Sequence, residues 1–113
     1  MNSALIIIDM QNDFCIGGAL AVKDGETIIE PINAAQKDFD TIILTQDWHP
    51  REHSSFASNN NAEIYSNIKM NYGTQILWPN HCIQGSSGAN FHKNLDTNKC
   101  DLILRKGCNP RVD

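Results

Sequence analysis

The stretch TIILTQDWHPREHSSF, residues 41–56, decides how the rest of the chain is read. It opens with a continuous apolar run containing two adjacent isoleucines, the pattern of a short strand buried on both faces rather than of an amphipathic helix. The run gives way at once to ligand chemistry: Asp47, Trp48, His49 and His53. Alternate residues of an extended chain point the same way, so Asp47 and His49 can reach one cation together. A carboxylate oxygen with an imidazole nitrogen suits zinc, iron or manganese. A third ligand must come from elsewhere, and His81 and His53 are the two candidates.

Upstream, ALIIID (4–9) repeats the pattern, an isoleucine-rich run that ends in an acid. Between the two runs, Ile28, Ile29, Ile32, Ala35 and Phe39 fall at helical spacing, and the spacing predicts a helix over 26–38 with Pro31 near its first turn. Strand, helix, strand within about forty residues reads as a right-handed βαβ unit. Residues 101–107, DLILRKG, give a third strand. Open α/β sheets bind ligands outside the carboxyl ends of their strands. The three strands end at Asp9, at Asp47 with His49, and at Lys106, so parallel pairing would gather all four on one rim. Asp9 and Lys106 as neighbours would perturb each other's pKa and form a proton-transfer pair.

The remaining segments are less regular. Residues 54–75 are rich in Ser and Asn with weak periodicity, and a loop of that length in a small domain is usually functional. Pro79 limits regular structure around ILWPNHC (76–82), and a short helix is expected near 88–95. At 113 residues the chain is one domain at most, with 41% hydrophobic residues, enough for a packed core. The net charge of −4, without a basic run, argues against a nucleic-acid partner and leaves a small molecule as the expected one. The apolar runs are too short to span a bilayer, which argues against a membrane partner. No signal peptide is evident, and four scattered cysteines suit reduced thiols in a cytoplasmic setting. Homo-oligomerisation is left open by the sequence.

Four stretches taken together, IIIDMQNDFCIGGALAV, TQDWHPREHSSFA, WPNHCIQGSSGANFH and RKGCNPRVD, resemble, in order and over nearly the whole chain, the nicotinamidase/pyrazinamidase family of the isochorismatase-like cysteine hydrolases. The resemblance implies an α/β fold, three-layer α/β/α with a mainly parallel sheet. It implies a Cys–Asp–Lys triad beside a divalent metal ion, zinc before iron or manganese. Carried over by motif, Asp9 is the triad acid and Lys106 its lysine. Asp47, His49 and His81 match the metal ligands, with His53 where some members have a further metal-site histidine. Phe14 and Trp78 match the aromatic walls of the substrate pocket, in keeping with a flat heteroaromatic ring stacking on aromatic faces. The implied substrates are nicotinamide and pyrazinamide. The implied chemistry is attack of a thiolate on the carboxamide carbon, loss of ammonia and hydrolysis of the thioester.

The family's nucleophile follows a further strand, at the start of a helix, beyond the lysine motif. None of Cys15, Cys82, Cys100 and Cys108 stands in such a place. Residues 1–113 are therefore expected to be the N-terminal part of a single hydrolase domain, inactive alone, with the missing C-terminal segment as its partner. Three strands would leave an open sheet with an unpaired edge and one incompletely covered face. The alternative is a non-catalytic metal-binding or interaction remnant of the same fold. A receiver-type phosphotransfer domain also gathers acids and a lysine at strand ends, but has no use for Asp-x-His or for the aromatic pair.

Overall fold

A computed structural model describes residues 2–113. Strands β1 (Ala4–Ile8), β2 (Thr41–Asp47) and β5 (Leu102–Lys106) form a parallel sheet in the order β1-β2-β5. The α/β class and the parallel pairing expected from the apolar runs are both present. The register sets Ile8 beside Thr45 and Asp47 beside Lys106. The Asp9 amide continues the pairing by donating to the Thr45 carbonyl. The polar strand ends therefore meet on one rim because the strands stop level with one another.

The helical segment runs over 25–38, as the spacing predicts, but in three parts. Single-turn 3-10 stretches (Gly25–Ile28 and Gln36–Asp38) flank α1 (Ile29–Ala35). Pro31 sits in the first turn of α1, where its missing N–H removes no helical hydrogen bond. Leu5 and Ile7 of β1, Ile42 and Leu44 of β2, and Ile29 and Ile32 of α1 join Met10, Cys15, Phe39 and Leu95 in one apolar core. Ile28, read as part of the apolar stripe, is instead exposed.

This core covers only one face of the sheet. In register, Ile6, Ile43 and Leu102 share the opposite face with Ile8, Thr45 and Leu104. Ile8 is 66% exposed and Leu104 54%. The expectation that the isoleucine-rich runs are covered on both faces is thus corrected: among the described residues no second layer packs on this face, and Ile43 and Thr45 of β2 are less exposed there only because a strand flanks them on each side.

Residues 48–101 lead from β2 to β5. The expected structureless loop over 54–75 in fact contains a 3-10 turn (Ala57–Asn60) and most of an antiparallel hairpin, β3 (Asn67–Met70) with β4 (Gly73–Ile76). Its strands are short and largely polar, so no apolar alternation announced them. The helix expected near 88–95 is absent; turns take its place. There Phe91 bridges to Gln11, and side chains from elsewhere bond the local carbonyls: Gln11 and Gln46 that of Ala89, and Asn33 that of Asn94. Isolated bridges also join His49 to Ile83 and Phe56 to Trp78. They fold the connection back over the strand ends. Among the described residues no helix is long and apolar enough to cross a membrane.

Candidate active site

The rim is organised around the Lys106 ammonium. It lies 2.7 Å from Asp9 Oδ2 and pairs closely with Asp47 Oδ1. Parallel pairing places Asp47 and Lys106 side by side with their side chains on the same face, so their meeting follows from register. Asp9 reaches the lysine differently. Its backbone lies in the left-handed region at φ 53°, which turns its carboxylate off the strand's alternation. Thr45 closes the arrangement: its Oγ1 accepts from the Asp9 amide at 3.1 Å and donates to Asp9 Oδ1 at 2.6 Å.

Charge and burial then compete. Burial opposes ionisation of Asp47, but its pairings with His49 and Lys106 win and pull its pKa down from 3.8 to about 2. Burial likewise opposes the Lys106 ammonium, yet Asp47 and Asp9 raise its pKa. Asp47 and Lys106 therefore form an ionised pair at neutral pH, with Asp9 on the other side of the ammonium.

His49 is almost fully buried, and its Nδ1 lies 2.8 Å from the Gly107 carbonyl. With Nδ1–H donated there, Nε2 carries the lone pair, and this buried atom has no hydrogen-bond partner. Asp47 Oδ2 stands 3.6 Å from it, too far for a good hydrogen bond. Burial works against the imidazolium of His49, but Asp47 and the Gly107 carbonyl outweigh it and raise its pKa. His81 repeats the arrangement, with Nδ1 2.8 Å from the Pro79 carbonyl. Burial, the largest influence, keeps it neutral by lowering its pKa. One ligand atom each from Asp47, His49 and His81 lie within 4.8 Å of one another. A metal-bound histidine donates its far N–H to a carbonyl or carboxylate and offers the other nitrogen to the ion. Both histidines are held in that tautomer by backbone carbonyls, and an orphaned buried nitrogen beside an ionised carboxylate is what a divalent cation would satisfy. The residues present therefore fit such an ion.

His53 has a different place. Its ring lies tilted against that of His49, centroids 4.4 Å apart and planes at 52°, but both of its nitrogens are engaged. Nδ1 faces the Ser55 hydroxyl at 2.8 Å and accepts from the Ser55 amide, while Nε2 lies 3.2 Å from the Val112 carbonyl. Burial lowers its pKa. His53 and His49 also form a second close group with the Asp113 carboxylate. The buried Phe56 ring packs edge-on to both His49 and His81.

The two aromatic candidates lie apart. Phe14 approaches His81, centroids 5.8 Å apart, and lines a cleft of about 280 Å³ with Ile8, Asp9, Met10 and Cys15. Trp78 is not part of that lining. Its indole donates to Asp113 at 3.1 Å and its ring meets Tyr65 edge-on. Of the cysteines, Cys15 and Cys82 are buried, and burial pushes both thiols up, with Glu26 adding to Cys15 and Asp47 to Cys82. Neither is poised as a thiolate. Thr45, Gly107 and Phe56 were missed by sequence reasoning. Thr45 alone left a signal, two residues before Asp47 and so on the same face of β2.

Comparison with known proteins bears on the family and the fold. Residues 3–109 match the model of the isochorismatase domain. A nicotinamidase of Acinetobacter baylyi is 48% identical over 113 residues, covering 99% of this chain and 53% of the relative. A solved structure of an Acinetobacter baumanii nicotinamidase/pyrazinamidase superposes with a TM-score of 0.96 at 48% identity, over 99% of this chain and 55% of the other. A Pyrococcus horikoshii pyrazinamidase, solved in complex with zinc, superposes with a TM-score of 0.75 at 32% identity, over the whole of this chain and 56% of the other. The chain spans about half the length of the curated relatives it matches. With the parallel sheet, the rim of acids and lysine, and the family match over nearly all of its residues, the chain belongs to the isochorismatase family of hydrolases.

Proposed function

We propose that the protein is a nicotinamidase, hydrolysing nicotinamide to nicotinate and ammonia and accepting pyrazinamide, and that residues 1–113 supply the N-terminal part of its single domain. One observation carries this reading: the Lys106 ammonium ties Asp9 to Asp47, and His49 and His81 each bring a ring nitrogen within 4.8 Å of an Asp47 oxygen. Relatives that span this chain end to end bear the name nicotinamidase.

Asp9 is the triad acid in this reading. Held by Thr45 and Lys106, it takes the proton of the attacking thiol and returns it to the departing ammonia. Lys106 orients the acid, its ammonium lying 2.7 Å from Asp9 Oδ2. The thiol comes from outside these residues in this reading: Cys15 and Cys82 are buried with raised pKa values, and neither Cys100 nor Cys108 lines the cleft beside Asp9. Asp47, His49 and His81 hold one divalent cation, for which zinc is the first choice given the zinc-bound Pyrococcus neighbour. When bound, the ion supplies a Lewis acid able to hold the pyridine ring nitrogen and acidify water. His53 buttresses His49 instead of binding the ion. Phe14, on the cleft beside Asp9, stacks on the pyridine ring. Trp78 supplies the second aromatic wall once the rest of the domain is in place.

The test is ammonia release from nicotinamide by the full-length protein. Release is expected, falling by about 10²- to 10⁴-fold in Asp9→Asn, the range typical for loss of an acid–base group. A folded, zinc-loaded full-length protein that releases no ammonia would favour the non-catalytic metal-binding reading. The 113-residue chain alone is expected to be inactive.

A further inference from the structure

The segment that follows β1 has a second occupation besides carrying Asp9. Gln11 is fully buried, and its side-chain amide engages the main chain of Asp47 on both sides. Its Oε1 accepts from the Asp47 amide at 2.8 Å, and its Nε2 donates to the Asp47 carbonyl at 2.8 Å. The second N–H donates to the Ala89 carbonyl at 2.8 Å. Two residues later, Asp13 does the same for the other ligand-bearing segment. Its Oδ2 accepts from the Cys82 amide at 2.7 Å, and that amide belongs to the peptide joining His81 to Cys82. Cys82 itself is held at φ 48°, a left-handed conformation that a non-glycine residue keeps only when its surroundings enforce it. The Asp13 Oδ1 accepts from the Ala19 amide at 3.1 Å, so both oxygens are engaged. Gly88 packs flat against this carboxylate, and any Cβ there would overlap it.

We infer that Gln11 and Asp13 are positioning residues for the cation site. Gln11 fixes the main chain of Asp47, Asp13 fixes the peptide after His81, and together they set the spacing of two ligands that lie 34 residues apart in the sequence. Neither touches the ion. The inference rests on the reading of Asp47, His49 and His81 as cation ligands. It differs from ordinary structural support in its prediction: loosening either grip weakens cation binding out of proportion to stability. Outer partners of metal ligands typically account for about 10- to 100-fold in affinity.

The experiment is zinc competition against a chromophoric chelator, with thermal unfolding measured alongside, on the full-length protein. Asp13→Asn and Gln11→Glu are isosteric; the first replaces one of two accepting oxygens with a donating NH2, and the second removes the donor to the Asp47 and Ala89 carbonyls. Gly88→Ala alters neither residue chemically and displaces only the Asp13 carboxylate. The reference is Asp101→Asn, because Asp101 also accepts a backbone N–H, that of Ile42 at 2.8 Å, away from the rim. Expected is a loss of zinc affinity of about 10-fold or more in any of the three rim variants that folds, against less than about 2-fold in Asp101→Asn at a similar loss of thermal stability. Zinc affinity in the folded rim variants no weaker than in Asp101→Asn, while His49→Ala abolishes binding, would overturn this inference alone. Absence of zinc binding by the unaltered protein would overturn both it and the metal-site reading.

Discussion

A single ammonium holds the rim together. Without Lys106, the Asp9 and Asp47 carboxylates would face each other's charge with no cation between them. Lys106→Met is therefore expected to raise the pKa of Asp47 and to abolish ammonia release, with a fold-stability loss on the order of 1 kcal/mol because the lysine is partly exposed. Carboxylate titration by NMR would check the first part. The pH dependence of the metal-free protein follows from the same pairing. Asp47 has a depressed pKa, so its contribution is full above its ordinary value of 3.8 and is lost as pH falls toward about 2. Lys106 has a raised pKa, so its contribution is full below its ordinary 10.5 and is lost only as pH rises through its higher folded value. Asp47→Asn should remove acid-limb stability on the order of 2 kcal/mol, measured as urea unfolding between about pH 5 and pH 2. Asp9, Asp47 and Lys106 stood out in the sequence because each closes an apolar run, whereas His81 follows Pro79 and Asn80 and has no such mark. Thr45, Gln11 and the Gly107 carbonyl were not, since their roles depend on which segments the fold brings level.

The elements place these residues with little tolerance. β2 is the central strand, and Leu44 at its midpoint is fully buried between Ile7 and the helical layer. Leu44→Ala should cost about 2–5 kcal/mol in denaturant unfolding, the range for emptying a core leucine site. The turn after β5 is equally constrained. Gly107 stands at φ 67°, and a Cβ there would lie 2.5 Å from His49 Cε1. Gly107→Ala should therefore displace the His49 ring and weaken zinc binding by about 10-fold or more, read by chelator competition. At this scale legibility depended on apolar content. β1, β2, β5 and the helical segment declared themselves through isoleucine runs and helical spacing. The hairpin β3–β4 did not, because four-residue strands such as NIKM and GTQI carry too little alternation. The turns over 88–95 were misread as a helix; side-chain bonds from Gln11, Gln46 and Asn33 hold their carbonyls instead.

In the whole molecule, the open sheet face leads to the site. Ile6, Ile8, Leu102 and Leu104 lie on the face toward which Asp47 and Lys106 also point. A second layer packed there would bury this apolar patch and close the rim over the triad acid. The chain's relatives are about twice its length, and that layer is where the remainder of the domain is proposed to sit. The 113-residue chain by itself should consequently self-associate at micromolar concentration, as sedimentation velocity would show, and Ile8→Lys with Leu104→Lys should suppress the association. The fold class was legible from strand order and run composition. The half-covered sheet was foreseen only from the missing nucleophile, since no property of an isoleucine run tells whether one face or two will be buried.

The central claim is that Asp47, His49 and His81 surround one divalent cation beside the Asp9–Lys106 pair. Zinc-edge X-ray absorption of the full-length protein tests it most directly. The account predicts a shell of two imidazole nitrogens and oxygen ligands at roughly 2.0–2.2 Å, with one imidazole lost in His81→Ala. A sulfur-bearing shell, or a spectrum unchanged by His81→Ala, would contradict it.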